Sequence, residues 1–322
     1  MTEIADHKPT HLSDIGVVVV TYHPEGDFCS RLQKMAAQGA FMVVVDNASN
    51  NEARTELNAV CQQYGWSIVS NSANLGVGAA LNQGVRCIAE RGLAWALLFD
   101  QDSEPLPDTS RQMLGTLHRH PQAMQVSIIG TSYHDPKTGV RHRILRQHPR
   151  CPLFFQKVPV HANDLPSVTM TITSGSLLHI ADFAAIGPFD EGFFIDYIDT
   201  DFCLRCRRNG RLIAISAEAR LEHSLGSRQI SRWLGIKVWP TNHSPLRHYY
   251  ISRNRIPMWK RHAFHAFHWW LFDLATCGLW LFRVLTVESQ KLAKLRAIFA
   301  GTWDGIRGKT GPCSSGLRKS LE

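Results

Sequence analysis

Residues 15–22, IGVVVVTY, form a run of mostly β-branched residues that ends in Thr21 and Tyr22. Such a run is typical of a strand buried on both faces, as in the parallel sheets of α/β proteins. A helical pattern over 28–38 and a second apolar run over 41–45 follow it. Because this spacing suits a strand–helix–strand unit, the stretch predicts the first strand of a parallel α/β sheet.

The same alternation continues along the chain. It predicts a helix over 52–64, a strand over 67–70, a helix ending near residue 91 and a strand over 96–99. Such sheets bind ligands at the carboxyl ends of their strands. The polar residues Asp46, Asn74, Asp100 and Asp102 all follow predicted strand ends. We therefore expect them to share one binding site.

The second half of the chain is less regular. Residues 171–180, TITSGSLLHI, predict a strand interrupted by small residues. Beyond residue 235 the composition shifts to Arg, His and Trp. We predict a catalytic domain over 1–235, with motifs extending to about 260, and a basic helical region over 236–322.

The composition is that of a globular protein, with 44% hydrophobic and 19% charged residues, and the charge is uneven. From Arg205 onward there are 21 Lys and Arg against 6 Asp and Glu, or +15, whereas the first 204 residues carry 14 against 21, or −7. This asymmetry indicates an acidic half suited to catalysis or metal binding. It also indicates a basic half that meets phosphates, anionic lipid or nucleic acid.

Some short motifs are incomplete. The glycine-rich GVGAAL at 76–81 lacks the third glycine of a dinucleotide fingerprint, and no strand precedes the Gly-Lys-Thr at 308–310. Cys203 and Cys206 lack a second ligand pair, so free thiols are expected for the eight cysteines. The first 14 residues have no apolar secretory segment, and we expect a cytoplasmic catalytic face.

An ordered set of motifs resembles the inverting family-2 glycosyltransferases of GT-A fold, and among them the bacterial rhamnosyltransferases. The motifs are VVVVTYHP (17–24), VDNAS (45–49), NLGVGAALNQG (74–84), DQDSEP (100–105), SGSLL (174–178), FDEGFFIDYIDTDFCLR (189–205), EHSLGS (222–227) and YYISRN (249–254). The resemblance implies an α/β fold with a mostly parallel central sheet flanked by helices. It also implies a nucleotide-sugar donor. Beyond the span of these motifs we expect a C-terminal helical tail that associates with membranes.

The resemblance implies a divalent cation, Mg²⁺ or Mn²⁺, held by Asp102 and His223, with Asp100 contacting the ribose or a metal-bound water. The chemistry fits, because a hard cation that neutralises a diphosphate takes one or two carboxylates from the protein. A solvated acidic turn that caps the next helix is the alternative for the two carboxylates.

The family binds the nucleoside after its first strands. The resemblance therefore assigns donor contacts to Thr21, Asp46, Asn47 and Asn74, and a pyrophosphate contact to Arg253, whose guanidinium suits phosphate. The first four residues also fit a simpler role, in which each satisfies main-chain groups of its own loop, and the alternative for Arg253 is an ordinary surface arginine.

Asp199 is the expected general base. The family has a Glu-Asp pair at this point, and Ile198 replaces the Glu here. Burial near aromatic residues such as Phe202 is expected to raise the pKa of Asp199 and so strengthen it as a base. The spacing of Asp201 and Arg205 favours a structural ion pair along a helix.

The segment 263–282, AFHAFHWWLFDLATCGLWLF, has no Lys or Arg but contains Asp273. A central Asp disfavours insertion, and Trp269, Trp270 and Trp280 favour a membrane interface. We expect a helix or helical hairpin on the membrane surface. A helix packed on the catalytic domain and a true span are the alternatives.

We expect a rhamnosyltransferase that moves L-rhamnose from dTDP-L-rhamnose to a hydroxyl of a glycolipid or lipid-linked glycan, with inversion. A rhamnolipid acceptor is slightly favoured. The alternatives are an O-antigen or capsule glycosyltransferase that uses another nucleotide sugar, an inactive sugar-binding module, and a nucleic-acid-binding protein that uses the basic region. The leading hypothesis predicts no nucleic-acid partner and a peripheral position on the cytoplasmic face of the inner membrane.

Overall fold

The computed structural model describes Lys8 and residues 11–134, 143–160, 163–222, 231–233, 236–238 and 242–321. The strands are β1 (Ile15–Thr21), β2 (Phe41–Asp46), β3 (Ser67–Ser70), β4 (Trp95–Asp100), β5 (Glu104–Pro105), β6 (Val126–His134), β7 (Arg143–Gln147), β8 (Phe155–Pro159), β9 (Ser176–His179), β10 (Leu212–Glu222), β11 (Ser231–Trp233) and β12 (Ile236–Val238). The α-helices are α1 (Phe28–Ala36), α2 (Asn51–Tyr64), α3 (Val77–Glu90), α4 (Thr109–Arg119), α5 (Ile180–Ile186), α6 (Ile198–Arg208), α7 (Pro245–His262), α8 (Phe267–Thr286), α9 (Lys291–Ile306) and α10 (Ser315–Leu321).

The first half of the chain forms the predicted parallel unit. Strands β3, β2, β1 and β4 are neighbours in that order, and every pair among them is parallel. The register aligns Thr21 with Asp46, and Val20 with Asp100. The carboxyl ends of three strands therefore meet at one edge of the sheet, as the sequence predicts.

The second half extends this sheet, so that eight strands of the described chain follow the order β3-β2-β1-β4-β9-β6-β10-β5. Strand β9 runs antiparallel to both of its neighbours, whereas β6 and β10 are parallel. The predicted strand over 171–180 is too long, because only Ser176–His179 pairs. Gly175 ends the preceding turn at φ 72°, a conformation that glycine adopts without strain, and its amide donates to Leu98.

The core lies on both faces of the sheet. Alternate residues of β1 and β2 enter two separate apolar clusters, with Val18 and Val43 on one face and Val17 and Val44 on the other. All four side chains are fully buried. Each contributes about 1.5–3 kcal/mol to stability by leaving water, which explains the continuous apolar runs in the sequence.

The C-terminal helices pack on the catalytic domain and on one another. Helix α9 crosses α7 closely, because Gly301 and Gly305 face the main chain of that helix. A Cβ atom at Gly301 would lie 2.2 Å from the carbonyl oxygen of Tyr249, and one at Gly305 would lie 2.4 Å from that of Arg253. These two glycines therefore fix how near α9 lies to the motif-bearing helix. The predicted boundary at residue 235 stays a prediction.

One face of α8 is buried in the protein. The Asp273 carboxylate accepts hydrogen bonds from the Tyr197 hydroxyl (2.8 Å), Trp259 Nε1 (2.7 Å) and Arg255 Nε (3.1 Å). Trp269 and Trp280 are buried as well, so the expectation that they lie at a membrane interface is wrong. Within the described residues, no helix is both long enough and apolar enough to cross a membrane.

Candidate active site

The carboxyl edge of the sheet opens into a pocket of about 440 Å³. Loops that follow β1, β2, β3 and β4 form one wall, and the segment before α6 and the C-terminal helices form the other. The lining residues are Val20, Tyr22, Asn47, Asn74, Gly76, Val77, Asp100, Gln101, Phe194, Ile195, Ser244, Leu246, Arg247, Tyr250 and Arg318. The structure thus brings three of the predicted site residues together: Asn47, Asn74 and Asp100.

Asn47 and Asn74 organise the loop that precedes α3. Asn47 donates from Nδ2 to Asn74 Oδ1 (3.0 Å) and accepts from the Leu75 amide (3.0 Å), and Asn74 accepts from the Gly76 amide (2.9 Å). Gly76 has φ 87°, and a Cβ atom on it would lie 2.5 Å from the carbonyl oxygen of Phe194. The two amides and this glycine therefore fix one wall of the pocket.

Thr21 and Asp46 are buried behind this wall. Asp46 accepts from the Ser49 hydroxyl (2.5 Å) and amide (3.2 Å), lies 3.5 Å from Arg54 Nε, and accepts from the Thr21 hydroxyl at 3.5 Å. These contacts join the ends of β1 and β2 to the loop after β2. Direct contact of Thr21 or Asp46 with the donor stays a prediction.

The two carboxylates of DQD occupy the turn after β4. Asp100 ends the strand and lines the pocket, whereas Asp102 is exposed on the turn. Ser174 accepts from the Asp100 amide at 3.1 Å and hydrogen-bonds to the Ser103 hydroxyl at 2.5 Å. The SGS segment thus holds the turn in place, and the turn presents hard oxygen ligands of the kind that Mg²⁺ and Mn²⁺ prefer.

Gln101, between these carboxylates, is a site residue that the sequence reasoning missed. Its side chain accepts from the Tyr22 amide (2.7 Å) and donates to the Tyr22 carbonyl (3.2 Å), which joins the DQD turn to the loop after β1. Its position between Asp100 and Asp102 is the sequence signal that could have identified it as a site residue. Among the described residues no three His, Cys, Asp or Glu side chains converge as metal ligands. The other predicted ligand, His223, lies outside the described residues.

Asp199 lies near the N-terminus of α6, in a smaller cavity of about 20 Å³ beside Thr171, Phe189 and Phe202. Burial raises the pKa of Asp199 to about 6, although hydrogen bonds from the Thr200 amide (2.7 Å) and hydroxyl (3.2 Å) oppose the rise. The expected rise in pKa on burial is confirmed. A carboxylate with this pKa is a stronger base than an ordinary one and is still largely ionised at neutral pH.

Arg253 and Asn254 hold residues 192–197, the segment that leads from the pocket to α6. We call it the clamped segment. Arg253 is 1% exposed and donates to the carbonyls of Gly192 (3.1 Å), Phe193 (2.8 Å) and Gly311. Asn254 Nδ2 lies within hydrogen-bonding distance of the carbonyls of residues 193, 195 and 196, at 3.0, 2.7 and 3.2 Å. We call this pair the clamp. The pyrophosphate contact assigned to Arg253 stays a prediction, and the observed contacts are to main-chain carbonyls.

The clamped segment needs this support. Phe194, Asp196 and Tyr197 have φ of 65°, 63° and 67°, in the left-handed region that favours glycine. Such residues each cost on the order of 1–3 kcal/mol and persist only where the surroundings fix them. The segment therefore turns sharply enough to line the pocket with Phe194 and still begin α6 at Ile198.

Asp201 is a structural residue, as its spacing indicates. Its buried carboxylate pairs with Arg205 Nε at 2.8 Å and with His262 Nε2 at 2.9 Å. The predicted ion pair along α6 is confirmed. It joins α6 to the end of α7.

The model of glycosyl transferase family 2 matches residues 17–178, which is half of the chain. The chain belongs to glycosyl transferase family 2. The dTDP-rhamnosyl transferase RfbF of Shigella flexneri is 27% identical over 311 residues, covering 93% of this chain and 97% of that protein. The low-salt glycan biosynthesis hexosyltransferase Agl10 of Haloferax volcanii is 26% identical over 210 residues, covering 62% of this chain and 64% of that protein.

Solved structures confirm the predicted fold class. The mannosyltransferase PcManGT from Pyrobaculum calidifontis, in complex with GDP-Man and Mn²⁺, superposes with a TM-score of 0.54 at 14% identity, covering 98% of this chain and 86% of that one. S. aureus TarS 1-349 gives a TM-score of 0.50 at 14% identity, covering 91% and 72%. The chain therefore has a GT-A-like α/β fold, and its membership of glycosyl transferase family 2 makes it a glycosyltransferase.

The pKa of Asp199 predicts the pH dependence of transfer. A base must be ionised, so we expect kcat/KM to fall as the pH drops through about 6. Thr200→Val removes the hydroxyl that stabilises the ionised carboxylate, and the acid limb should move to higher pH by roughly one unit. The pH profile of kcat/KM measures this shift.

Thr200→Ser keeps the hydroxyl and is the matched control, with an acid limb at the wild-type position. An acid limb near pH 4 in the wild type, or one that Thr200→Val leaves in place, would contradict the assignment of Asp199.

Proposed function

We propose that this glycosyltransferase moves L-rhamnose from dTDP-L-rhamnose to a hydroxyl of a glycolipid or lipid-linked glycan, with inversion. The observation that carries the donor is the similarity to the Shigella flexneri dTDP-rhamnosyl transferase, which extends over 93% of this chain and 97% of that protein. The resemblance of the motifs to bacterial rhamnosyltransferases supports the same donor.

The pocket fits a nucleoside diphosphate-sugar. Its volume of about 440 Å³ lies in the range of small-molecule sites, and it opens at the carboxyl edge of the sheet. Asn47 and Asn74 form a polar wall for the nucleoside. The stacked rings of Phe194 and Tyr250, 5.0 Å apart, line the opposite side.

The proposal includes a divalent cation at the DQD turn, held by Asp102 and His223, with Asp100 contacting the ribose or a metal-bound water. The two carboxylates fit this role, since Mg²⁺ takes one or two carboxylates and fills its other positions with water and substrate phosphates. When bound, the cation neutralises the charge of the departing diphosphate. Asp100 lies on the wall of the pocket that the donor occupies in this proposal.

Asp199 performs the proton transfer in this proposal. Its carboxylate takes the proton of the acceptor hydroxyl, whose oxygen bonds to the anomeric carbon as the bond from that carbon to the diphosphate breaks and dTDP leaves. Attack opposite the leaving group inverts the anomeric centre. Asp199 lines a different cavity from the donor pocket. This suits the proposal, because the acceptor hydroxyl approaches the sugar from the side opposite the diphosphate.

The donor and the base are tested together. We expect purified enzyme to transfer sugar from dTDP-L-rhamnose but not from dTDP-glucose or UDP-N-acetylglucosamine. Asp199→Asn should bind dTDP-L-rhamnose within a few-fold of wild type and reduce kcat at least a hundredfold, because the amide accepts no proton. Calorimetry of donor binding and chromatography of products give both values.

Glu191→Gln is a control for the loss of one acidic residue just before the clamped segment, and it should keep kcat. Equal transfer from all three donors would contradict the rhamnose assignment. Unchanged kcat in Asp199→Asn would contradict the base.

We further propose that the protein lies peripherally on the cytoplasmic face of the inner membrane through α9. Leu292, Phe299, Trp303 and Ile306 are 74%, 73%, 47% and 53% exposed. Their spacing of seven, four and three residues puts them on one face of the helix. Exposed basic residues flank this apolar stripe: Lys291, Arg296 and Arg307. A cationic rim around an apolar stripe suits anionic lipid.

Phe299→Ser combined with Trp303→Ser should lower binding to phosphatidylglycerol vesicles at least tenfold, because each ring contributes about 1.5–3 kcal/mol of burial. Vesicle sedimentation measures the binding. Met124→Ser removes an apolar side chain of similar exposure (49%) outside the C-terminal helices and should bind as wild type. Equal binding by the double variant would contradict the proposal.

A further inference from the structure

A further cavity, of about 210 Å³, shares no lining residue with the donor pocket or with the cavity of Asp199. It lies where the turn after β7 meets the last turn of α6. Three of its lining residues are basic: Arg146, His148 and Arg207. Among the described residues that line it, none is acidic. We call it the basic cavity.

Arg207 is held in the basic cavity by uncharged acceptors. Its Nη1 donates to the Val168 carbonyl (2.9 Å) and lies 3.4 Å from the Ser167 hydroxyl, and its Nη2 donates to Gln147 Oε1 at 3.2 Å. Burial lowers the pKa of this guanidinium, because partial removal from water disfavours the charged form. Arginine nevertheless stays protonated in proteins. The cavity therefore holds a half-buried positive charge that these hydrogen bonds orient but do not neutralise.

His148 and Arg146 add donors to the same cavity. The Nδ1 atom of His148 accepts from the Cys151 amide at 3.2 Å, so the neutral ring carries its proton on Nε2. Arg146 is half-buried and comes from β7. Two guanidinium groups and an imidazole suit the several oxygens and double charge of a phosphate ester better than the single charge of a carboxylate. The basic cavity therefore favours phosphate.

The basic cavity and the cavity of Asp199 lie along one helix. Asp199 is near the start of α6 and Arg207 near its end, eight residues later, which is about 12 Å along the axis. One segment runs beside α6 between them, since the Cys203 thiol lies 3.6 Å from the Thr171 carbonyl oxygen and Arg207 reaches that of Val168. A short glycan spans such a distance. A glycan with one hydroxyl at Asp199 therefore places its other end near Arg207.

We infer that the basic cavity binds the phosphate of a phosphate-linked acceptor, with Arg207 as its main ligand. The inference rests on the proposed function, because it takes Asp199 to mark the acceptor side of the site. It narrows the proposed acceptors to glycans that are joined to lipid through a phosphate or diphosphate. The bound phosphate balances the charge of Arg207, and their attraction is stronger in a partly buried cavity than in water.

The first test fills the donor pocket with dTDP and Mg²⁺ and then titrates the enzyme with glucose 1-phosphate or with methyl glucoside, which lacks the phosphate. We expect calorimetry to show binding at least about tenfold tighter for glucose 1-phosphate. Arg207→Gln should abolish this preference and keep dTDP binding within twofold. Arg146→Gln should weaken glucose 1-phosphate binding about threefold or more, and it leaves the hydrogen bonds of Arg207 in place.

Arg150→Gln is the matched control, because it removes an exposed arginine of the same turn that does not line the cavity. It should bind glucose 1-phosphate as wild type. Wild-type binding strength in both Arg207→Gln and Arg146→Gln would overturn the inference and leave the proposed function intact. An equal loss in Arg150→Gln would also overturn it, because the effect would then be one of general charge. If Arg207→Gln lowers binding to phosphatidylglycerol vesicles by tenfold, the phosphate is that of a membrane headgroup, and the acceptor assignment is overturned.

The second test follows radioactive rhamnose from dTDP-L-rhamnose into a lipid extract of the source cells. We expect label in a lipid from which mild acid releases it, because acid cleaves a glycosyl diphosphate more readily than a simple glycoside. Arg207→Gln should lower kcat/KM for this lipid at least about tenfold and leave the KM for dTDP-L-rhamnose within twofold.

Label found only in acid-stable lipid would overturn the acceptor assignment and leave rhamnosyl transfer in place. If no lipid is labelled by the wild type, the proposed function fails. The titrations with glucose 1-phosphate then decide by themselves whether the basic cavity is a phosphate site.

Discussion

The clamp of Arg253 and Asn254 on the segment before α6 is the contact on which the rest of the site depends. Main-chain carbonyls of this segment accept hydrogen bonds from a buried guanidinium and a side-chain amide. This support holds three non-glycine residues in left-handed conformations. The segment then presents Phe194 to the donor pocket and starts the helix that carries Asp199. One set of hydrogen bonds therefore positions both the pocket proposed for the donor and the residue proposed as the base.

The electrostatic layout of the site follows from the same segment. Asp196 turns towards Arg247 on the pocket wall, and its charge adds to the burial that raises the pKa of Asp199. In the proposed reaction the DQD turn meets the donor diphosphate, whereas the proposed base lines a second, smaller cavity.

The sequence predicted well what depends on local pattern. Buried parallel strands read as apolar runs, so β1 to β4 were placed within about one residue, and β3 at its observed bounds. Asn47, Asn74 and Asp100 converge because parallel strands share a carboxyl edge. The left-handed residues at 194–197 carry no glycine signal, and the clamp that fixes them comes from about 60 residues further along the chain. The role of Gln101 and the burial of Trp269 and Trp280 likewise arise from long-range packing that no local spacing encodes.

The most direct test of this account is hydrogen exchange of the amides of residues 194–201 in Asn254→Ala. Loss of the amide that reaches three carbonyls should free the left-handed segment. We predict exchange at least about tenfold faster there, with the amides of β1 and β2 unchanged. Exchange of residues 194–201 at the wild-type rate in a folded Asn254→Ala protein would contradict the claim that the clamp positions the site.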